Sequence, residues 1–421
     1  MDKIFHCPDI KGEIRAISSK SEAHRALICA ALGDRQTFIE CTDTNADIDA
    51  TVSCLCALGA NIDRLPNGFF VDPIKEVTQG AFLDCNESGS TLRFLLPVAA
   101  ALGANCAFVM HGRLPKRPLS PLYELLCDNG VSLSDMGSNP LIVSGGLRAG
   151  DYSIAANVSS QYISGLLFAL SIITGKSSVS LLGKVESAPY IDMTVDTLKA
   201  FGADVSYDGE QNKFIISGRS RLCSPEKIAV GGDWSNAAFF LCAGAIGKKS
   251  ITVTNLDLSS RQGDRAVLNI LSSMGAKISA DGDKITVCPS ELTAVDIDAA
   301  NTPDLVPILA TVASVSTGET RIYNAGRLRL KESDRIESVC SFLSCLGADI
   351  TATDDGMIIN GKKRLCGGET CSFGDHRIAM SAAIASLVCS SPVTVKAFEA
   401  INKSYPSFVD NFNTLTSEGS A

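Results

Sequence analysis

Six short clusters of hydroxyl, amide and acidic residues stand just before six Ala/Leu-rich stretches of the 421-residue chain. They are SSKSEAHR (18–25), ESGST (87–91), VSSQY (158–162), GGDWSN (231–236), NTPD (301–304) and GDHR (374–377). Such residues suit helix N-caps, because a short side-chain oxygen accepts a hydrogen bond from one of the first free backbone amides. Cations gather in the same neighbourhoods: Lys20, Arg25, Arg93, Lys116, Arg117, Lys331, Arg335, Arg377 and Lys403. A helix start offers unpaired N–H groups and the positive end of the helix dipole, and both favour an anion. Arginine adds forked contacts to carboxylate or phosphate, and lysine adds a point charge or a proton. These types suit a small, multiply charged anion that also carries hydroxyls, with Ser21, Ser90, Ser159, Ser160 and Gln161 as neutral partners. No GK[ST] follows ESGST and no GxGxxG follows a strand, so no nucleotide cofactor is expected.

The overall charge points the same way. With 37 basic and 46 acidic residues the net charge is −9, which argues against a broad nucleic-acid or anionic-membrane surface. An apolar fraction of 45% is ample for a large core, and the longest apolar runs, such as 162–174, are too short to span a membrane and read as buried helices. A cytosolic protein is expected. The sixteen cysteines include Cys29, Cys54, Cys56, Cys242, Cys340, Cys345 and Cys389 in apolar stretches, where a thiol acts as a small core residue. No CxxC pair or His partner at zinc-ligand spacing is present, so reduced thiols and no metal are expected.

The elements that position the clusters repeat. A helix end, a glycine and a short strand recur at LGANI, NGVSL, FGADV, MGAKI and LGADI, with glycines at 59, 130, 202, 275 and 347, spaced by 71, 72, 73 and 72 residues. A second series, the small residues closing the Ala/Leu-rich segments, falls at Gly33, Gly103, Gly175, Gly247, Gly318 and Ser390, where glycine suits a left-handed C-cap. Several copies continue through an Asp-Gly turn into a hairpin, as in SADGDKITV (279–287). The pattern predicts an α/β chain of six units of about 72 residues, the N-terminal strands of 3–17 completing the sixth. Three units make an ordinary domain, so two domains are expected, 18–229 and 1–17 plus 230–421, with the active cleft between them.

The motifs KSEAHR (20–25), ESGSTLR (87–93), GRLPKRPL (112–119), SSQYISGLL (159–167), SAPYIDMT (187–194), PDL (303–305), LRLKESDRI (328–336), GDHRIAM (374–380) and NKSYPSF (402–408) resemble those of the EPSP synthases, the 3-phosphoshikimate 1-carboxyvinyltransferases, in family order over essentially the whole chain. The resemblance implies two similar domains, each of three βαβαββ units, closing on substrate. It implies transfer of the enolpyruvyl group of phosphoenolpyruvate to the 5-hydroxyl of shikimate 3-phosphate, by addition and then elimination of phosphate. No cofactor or metal is implied, and a monomer is.

By the same resemblance Lys20, Ser21, Arg25, Ser159, Ser160, Gln161, Ser187, Asp304 and Lys331 bind shikimate 3-phosphate. Lys20, Gly89, Arg117, Gln161, Arg335, Arg377 and Lys403 bind phosphoenolpyruvate, where glyphosate would compete. Asp304 is expected to take the proton of the 5-hydroxyl and Glu332 to give one to the enol carbon, while Lys20 or Lys403 assists the departing phosphate. Asp375 is expected to orient His376 or Arg377, and Trp234 to pack in a core or hinge. Glu87 stands where the family often has Asn and is expected to point away or to pair with a cation such as Arg93. Either Asn324 or Arg327 matches a phosphate-side Asn of many relatives. The sister enzymes acting on UDP-N-acetylglucosamine carry a cysteine in the loop matching 112–119, which this chain lacks. Retention of Lys20, Asp304, Glu332 and Lys403 together argues against a non-catalytic anion-binding relative. The RNA-end cyclases share the repeat but need a basic track that a charge of −9 does not supply.

Overall fold

A computed structural model describes residues 1–416. It contains two compact units, Ser18–Val230 and Met1–Ile17 together with the chain from Gly231. In the first, helices α1 (Lys20–Ala31), α2 (Ala46–Ala57), α3 (Gly89–Ala101), α4 (Leu122–Asp128), α5 (Ser160–Ser171) and α6 (Ala188–Ala200) alternate with strands of three four-stranded sheets. α1, α3 and α5 are buried along nearly their whole length, as their Ala/Leu/Ile-rich sequences demand, whereas α2, α4 and α6 bury one face. The second unit repeats the plan with α7 (Trp234–Ile246), α8 (Val267–Ser273), α9 (Val306–Ala313), α10 (Arg335–Cys345), α11 (His376–Ala385) and α12 (Phe408–Thr414).

All five four-stranded sheets share one order. A first strand runs parallel to a second, which pairs antiparallel with the return strand of a hairpin. Ala81–Asp84, Cys106–Val109, Leu141–Gly145 and Val131–Leu133 form one such sheet, so the first five units of sequence read βαβαββ. The hairpins expected at the Asp-Gly turns are present, among them Lys277–Asp281 with Lys284–Cys288.

The N-terminal strands differ from expectation. Lys3–Phe5 completes the sixth sheet, antiparallel to Val393–Lys396, but Gly12–Arg15 lies parallel to Ile251–Thr254 in the fourth. The fourth repeat lacks a first strand because Lys227–Ala229, just before α7, pairs instead with Thr37–Glu40 in the first repeat's sheet. The strands preceding α1 and α7 have thus exchanged places. Alternation then points Ile14 inward, and it packs with Ile10, Ala16 and Ile17 in the core of the 231–416 unit.

The glycines also sort into two kinds. Gly59, Gly130, Gly202, Gly275 and Gly347 all have φ between +69° and +114°, the left-handed turn expected after a helix. Gly33 and Gly247 do not adopt it. A Cβ at Gly33 would stand 1.9 Å from Ser224 Oγ, and at Gly247 2.6 Å from the Ala243 carbonyl, so close approach explains glycine there. All sixteen cysteines are free thiols. Cys29, Cys54, Cys242 and Cys389 are buried, but Cys56 and Cys345 are exposed because they lie on the outer faces of α2 and α10. Among the described residues no helix is long and apolar enough to cross a membrane, and no three His, Cys, Asp or Glu side chains are grouped to hold a metal ion. Trp234 is core: its backbone N donates to Gln262 Oε1 at 2.9 Å and its indole Nε1 to the Asp257 carbonyl at 3.2 Å.

Candidate active site

In the 18–230 unit the starts of the three buried helices carry the predicted residues. Ser19, Ser88 and Ser159 cap α1, α3 and α5 through their side chains. The first turns of α3 and α5 touch. Gln161 Nε2 donates to Ser90 Oγ at 2.9 Å, Arg93 Nη1 donates to Gln161 Oε1 at 2.9 Å, and Arg93 Nη2 reaches the Pro118 carbonyl at 3.0 Å. Gly89 lies against two guanidinium groups; a Cβ there would stand 2.8 Å from Arg93 Nη1 and 2.9 Å from Arg117 Nη1. Gly89→Ala must therefore push the arginines aside. On the phosphoenolpyruvate role that the sequence resemblance implies for Gly89, the variant is expected to fold and to show a KM for that substrate raised roughly tenfold, ~1.4 kcal/mol of lost binding, by steady-state kinetics.

Lys20 opens α1, and its Nζ donates to Asp47 Oδ2, 2.9 Å away at the start of α2. Arg25, one turn further, is buried. Its Nε donates to Thr194 Oγ1 at 2.8 Å, Nη1 to the Ser21 carbonyl at 2.7 Å and Nη2 to the Tyr190 carbonyl at 2.6 Å. Arg25 therefore joins α1 to α6 through three of a guanidinium's five N–H groups; burial lowers its pKa to about 10. Ser187 sits before α6 with φ +54°, a backbone state rare outside glycine and found where surroundings impose it. Ser21 and Ser160 lie in the first turn or two of α1 and α5, and Ser160 is buried.

His24, beside Arg25, is buried, and desolvation pushes its imidazole down to about 3. An unfolded chain takes up that proton near pH 6.5, so this neutral histidine gives stability that is complete above pH 6.5 and lost as pH falls toward 3, ~1.4 kcal/mol per pH unit. His24→Asn is expected to flatten the acid-side loss of stability of this unit between pH 6.5 and 4, read by urea unfolding followed by circular dichroism.

In the 231–416 unit the acids and cations form one network. Arg335, at the start of α10 and only 1% exposed, donates from Nη1 to Asp304 Oδ1 at 2.7 Å, from Nη2 to Glu332 Oε2 at 2.9 Å and from Nε to Asp375 Oδ2 at 2.7 Å. Arg377, in the first turn of α11, donates from Nη2 to the other Asp304 oxygen at 2.9 Å. Burial works to raise the Asp304 carboxyl, but Arg377, Lys331 and Arg335 outweigh it and hold the group well below the usual carboxylate range. Burial brings Lys331 down to about 8, against the pull of Asp304. Asp375 caps α11 through the Arg377 backbone N at 2.9 Å and also grips Arg335, while His376 Nδ1 is 3.8 Å from it. Lys403 ends the 3₁₀ turn Phe398–Lys403 beside Ser404, which accepts from Asn236 Nδ2 at 3.3 Å.

One cluster departs from the capping pattern. NTPD provides no side-chain cap for α9, which starts at Val306, because the Asp304 carboxylate is already held by two arginines. Glu87 folds over the next loop, where a Cβ at Gly112 would meet its Oε1 at 1.8 Å. Asn324 is a left-handed turn residue whose Nδ2 donates to Asp298 Oδ1 at 3.0 Å, and Arg327 Nη2 donates to the Ala300 carbonyl. Three groups were not singled out from the sequence. They are Asp47 against Lys20, the His24–Thr51 contact at 2.7 Å, and Asp264, a buried acid that accepts from Ser235 Oγ and that burial and Asp304 raise to about 6. Four-residue spacing of Lys20 with His24 and of Asp47 with Thr51 was the available signal for the first two.

The family profile of EPSP synthase (3-phosphoshikimate 1-carboxyvinyltransferase) matches residues 6–412. The chain belongs to the EPSP synthase family. A 3-phosphoshikimate 1-carboxyvinyltransferase of Clostridium perfringens strain 13 is 40% identical over 420 residues, covering 99% of this chain and 98% of its own. Its counterpart in Clostridium kluyveri is 41% identical over 412 residues, covering 97% and 96%. Among solved structures, EPSP synthase of Acinetobacter baumannii aligns with a TM-score of 0.81 at 27% identity, covering 97% of this chain and 96% of that one. The enolpyruvyl transferase NikO from Streptomyces tendae aligns at 0.80 with 17% identity, covering 98% and 97%, a likeness of fold. Two domains of three βαβαββ units are thus the family's enolpyruvyl transferase architecture in this chain.

Proposed function

We propose that this chain, as an EPSP synthase, moves the enolpyruvyl group of phosphoenolpyruvate to the 5-hydroxyl of shikimate 3-phosphate, with Asp304 as the base. The observation that carries the residue assignment is the clamp on Asp304, one oxygen on Arg335 and the other on Arg377. A carboxylate held by two guanidinium groups is a weak base. Arg335 and Arg377 are also the groups suited to the carboxylate or phosphate of phosphoenolpyruvate. Substrate competing for these arginines loosens Asp304 and raises its basicity when an alcohol proton must be taken.

The steps balance without a covalent enzyme intermediate. Glu332 protonates C3 of the enol, the 5-oxygen bonds to C2 as Asp304 takes its proton, and a tetrahedral ketal phosphate results. The Glu332 carboxylate then takes a proton back from C3, and the C2–O bond to phosphate breaks with its electron pair leaving on phosphate, which restores the double bond. Lys20 and Lys403 stabilise the charge gathering on the departing phosphate. Ser21, Arg25, Ser159, Ser160, Gln161, Ser187 and Lys331 serve the phosphate and hydroxyls of the acceptor, and Gly89, Arg117, Gln161, Arg335, Arg377 and Lys403 serve phosphoenolpyruvate. On this reading the protein works as a cytoplasmic monomer with two small substrates and no cofactor, in keeping with its net charge of −9.

Purified protein given phosphoenolpyruvate and shikimate 3-phosphate is expected to release phosphate. Silence with that pair but release with UDP-N-acetylglucosamine overturns the reading. Because Lys331 is brought down to about 8 by burial, it is charged below that pH and neutral above it. KM for shikimate 3-phosphate is therefore expected to rise above pH 8, and a KM flat from pH 7 to 9.5 removes Lys331 from the phosphate site.

A further inference from the structure

The starts of α1 and α2 face each other through two rungs one helical turn apart. Lys20 and His24 are four residues apart on α1, and Asp47 and Thr51 are four apart on α2, so each pair shares a helix face. The outer rung is the Lys20–Asp47 ion pair, whose side chains are 15% and 8% exposed. The inner rung, His24 Nδ1 to Thr51 Oγ1 at 2.7 Å, is fully buried. It continues inward, from Thr51 Oγ1 to Thr91 Oγ1 at 2.7 Å, and from Thr91 Oγ1 to Ser88 Oγ at 2.8 Å with the Asp47 carbonyl at 3.4 Å. Ser88 caps α3 at Gly89. One hydroxyl chain thus ties together the starts of three helices.

We infer that Thr51 and His24 are positioning residues for Lys20, the inner rung setting the α1–α2 register in which Asp47 holds the Lys20 ammonium at the site. This rests on the substrate role proposed for Lys20. A lysine on a flexible four-carbon stem is placed by its partner, and its partner by the helix register. Displacing a reacting group by about 1 Å can cost ~100-fold in rate.

Counting hydrogens gives the chain a direction. The Thr91 hydroxyl hydrogen goes to Ser88, so that of Thr51 goes to Thr91, and His24 must donate from Nδ1. His24 is then the neutral Nδ1–H tautomer, and among the described residues its buried Nε2, an acceptor, has no hydrogen-bond partner. The other tautomer would leave an N–H in that place, the costlier orphan. Asp47, Lys20 and Arg25 are the charged groups around the ring, and Phe94 packs edge-on at 6.4 Å.

Thr51→Val keeps shape and removes the hydroxyl. It is expected to leave circular dichroism unchanged, to lower kcat/KM for phosphoenolpyruvate about tenfold, and to be restored to at least half of wild type by Thr51→Ser. Asp47→Asn should cost a similar factor, and adding Thr51→Val to it less than twofold more, because both act through Lys20. A folded Thr51→Val with wild-type kcat/KM, or full multiplicative losses in the double variant, overturns the inference. Nitrogen-15 NMR of the wild-type imidazole tests it without a variant: a neutral Nδ1–H signal for His24 from pH 5 to 8 supports it, and an Nε2–H or doubly protonated ring overturns it. Lys20→Met separates the two readings. If it retains wild-type turnover the role of Lys20 fails; if it is inactive while Thr51→Val is normal, only the positioning inference fails.

Discussion

Asp304→Asn is expected to lower kcat by about 100- to 10,000-fold while leaving KM for phosphoenolpyruvate unchanged or smaller. The first effect is the usual size for removing a general base. The second follows from the clamp: Asp304 is bonded to both Arg335 and Arg377, so on the proposed assignment an anionic substrate must compete with it for them. A neutral amide of the same shape competes less. Steady-state kinetics with each substrate varied in turn measures both. A kcat within threefold of wild type removes Asp304 as the base, and a KM for phosphoenolpyruvate raised tenfold or more removes the competition.

Arg335→Met is expected to destabilise its unit by about 3–5 kcal/mol, the usual loss when one side of a buried ion network is deleted. Arg335 is bonded to Asp304, Glu332 and Asp375, which come from the turn before α9, the turn before α10 and the cap of α11. Without the guanidinium these acids face one another with little water. Arg335 is one of the cations that hold the Asp304 carboxyl well below the usual range, so its removal lets that group rise, and the variant loses less stability than wild type as pH falls through the carboxylate range. Trp234, the sole tryptophan, is buried in this unit, so its fluorescence reports urea unfolding of this half alone. A loss under 1 kcal/mol at pH 7 shows that the network contributes little.

The repeat was legible because its period is written in residues with local jobs: glycines at left-handed turns, caps at helix starts, Asp-Gly at hairpins. The exchange of strands was not. Gly12–Arg15 and Lys227–Ala229 are both short strands before a helix, and nothing in three or four residues says which sheet will take them. Most of the candidate residues could be picked out, and Asp304, Glu332, Arg335 and Arg377 lie in one bonded network. Local rules misjudged NTPD, however, because arginines 31 and 73 residues away decide what its carboxylate does. Asp47 reads locally as an acid suited to a helix start. Its pairing with Lys20 exists only once α1 and α2 have docked.

The exchanged strands also set a timetable for synthesis. Ser18–Val230 holds all strands of its own three sheets and can close as soon as it has left the ribosome. Gly12–Arg15, made earlier, must wait for Ile251–Thr254, and Lys3–Phe5 must wait for Val393–Lys396. At about 5–20 residues per second these waits last tens of seconds. During them the chain carries two unpaired strands, with Ile14 and Ile17 uncovered, ahead of a finished module. The half that closes last holds Asp304 and Arg335, so a nascent chain completes that bonded network only after Arg377 has been made.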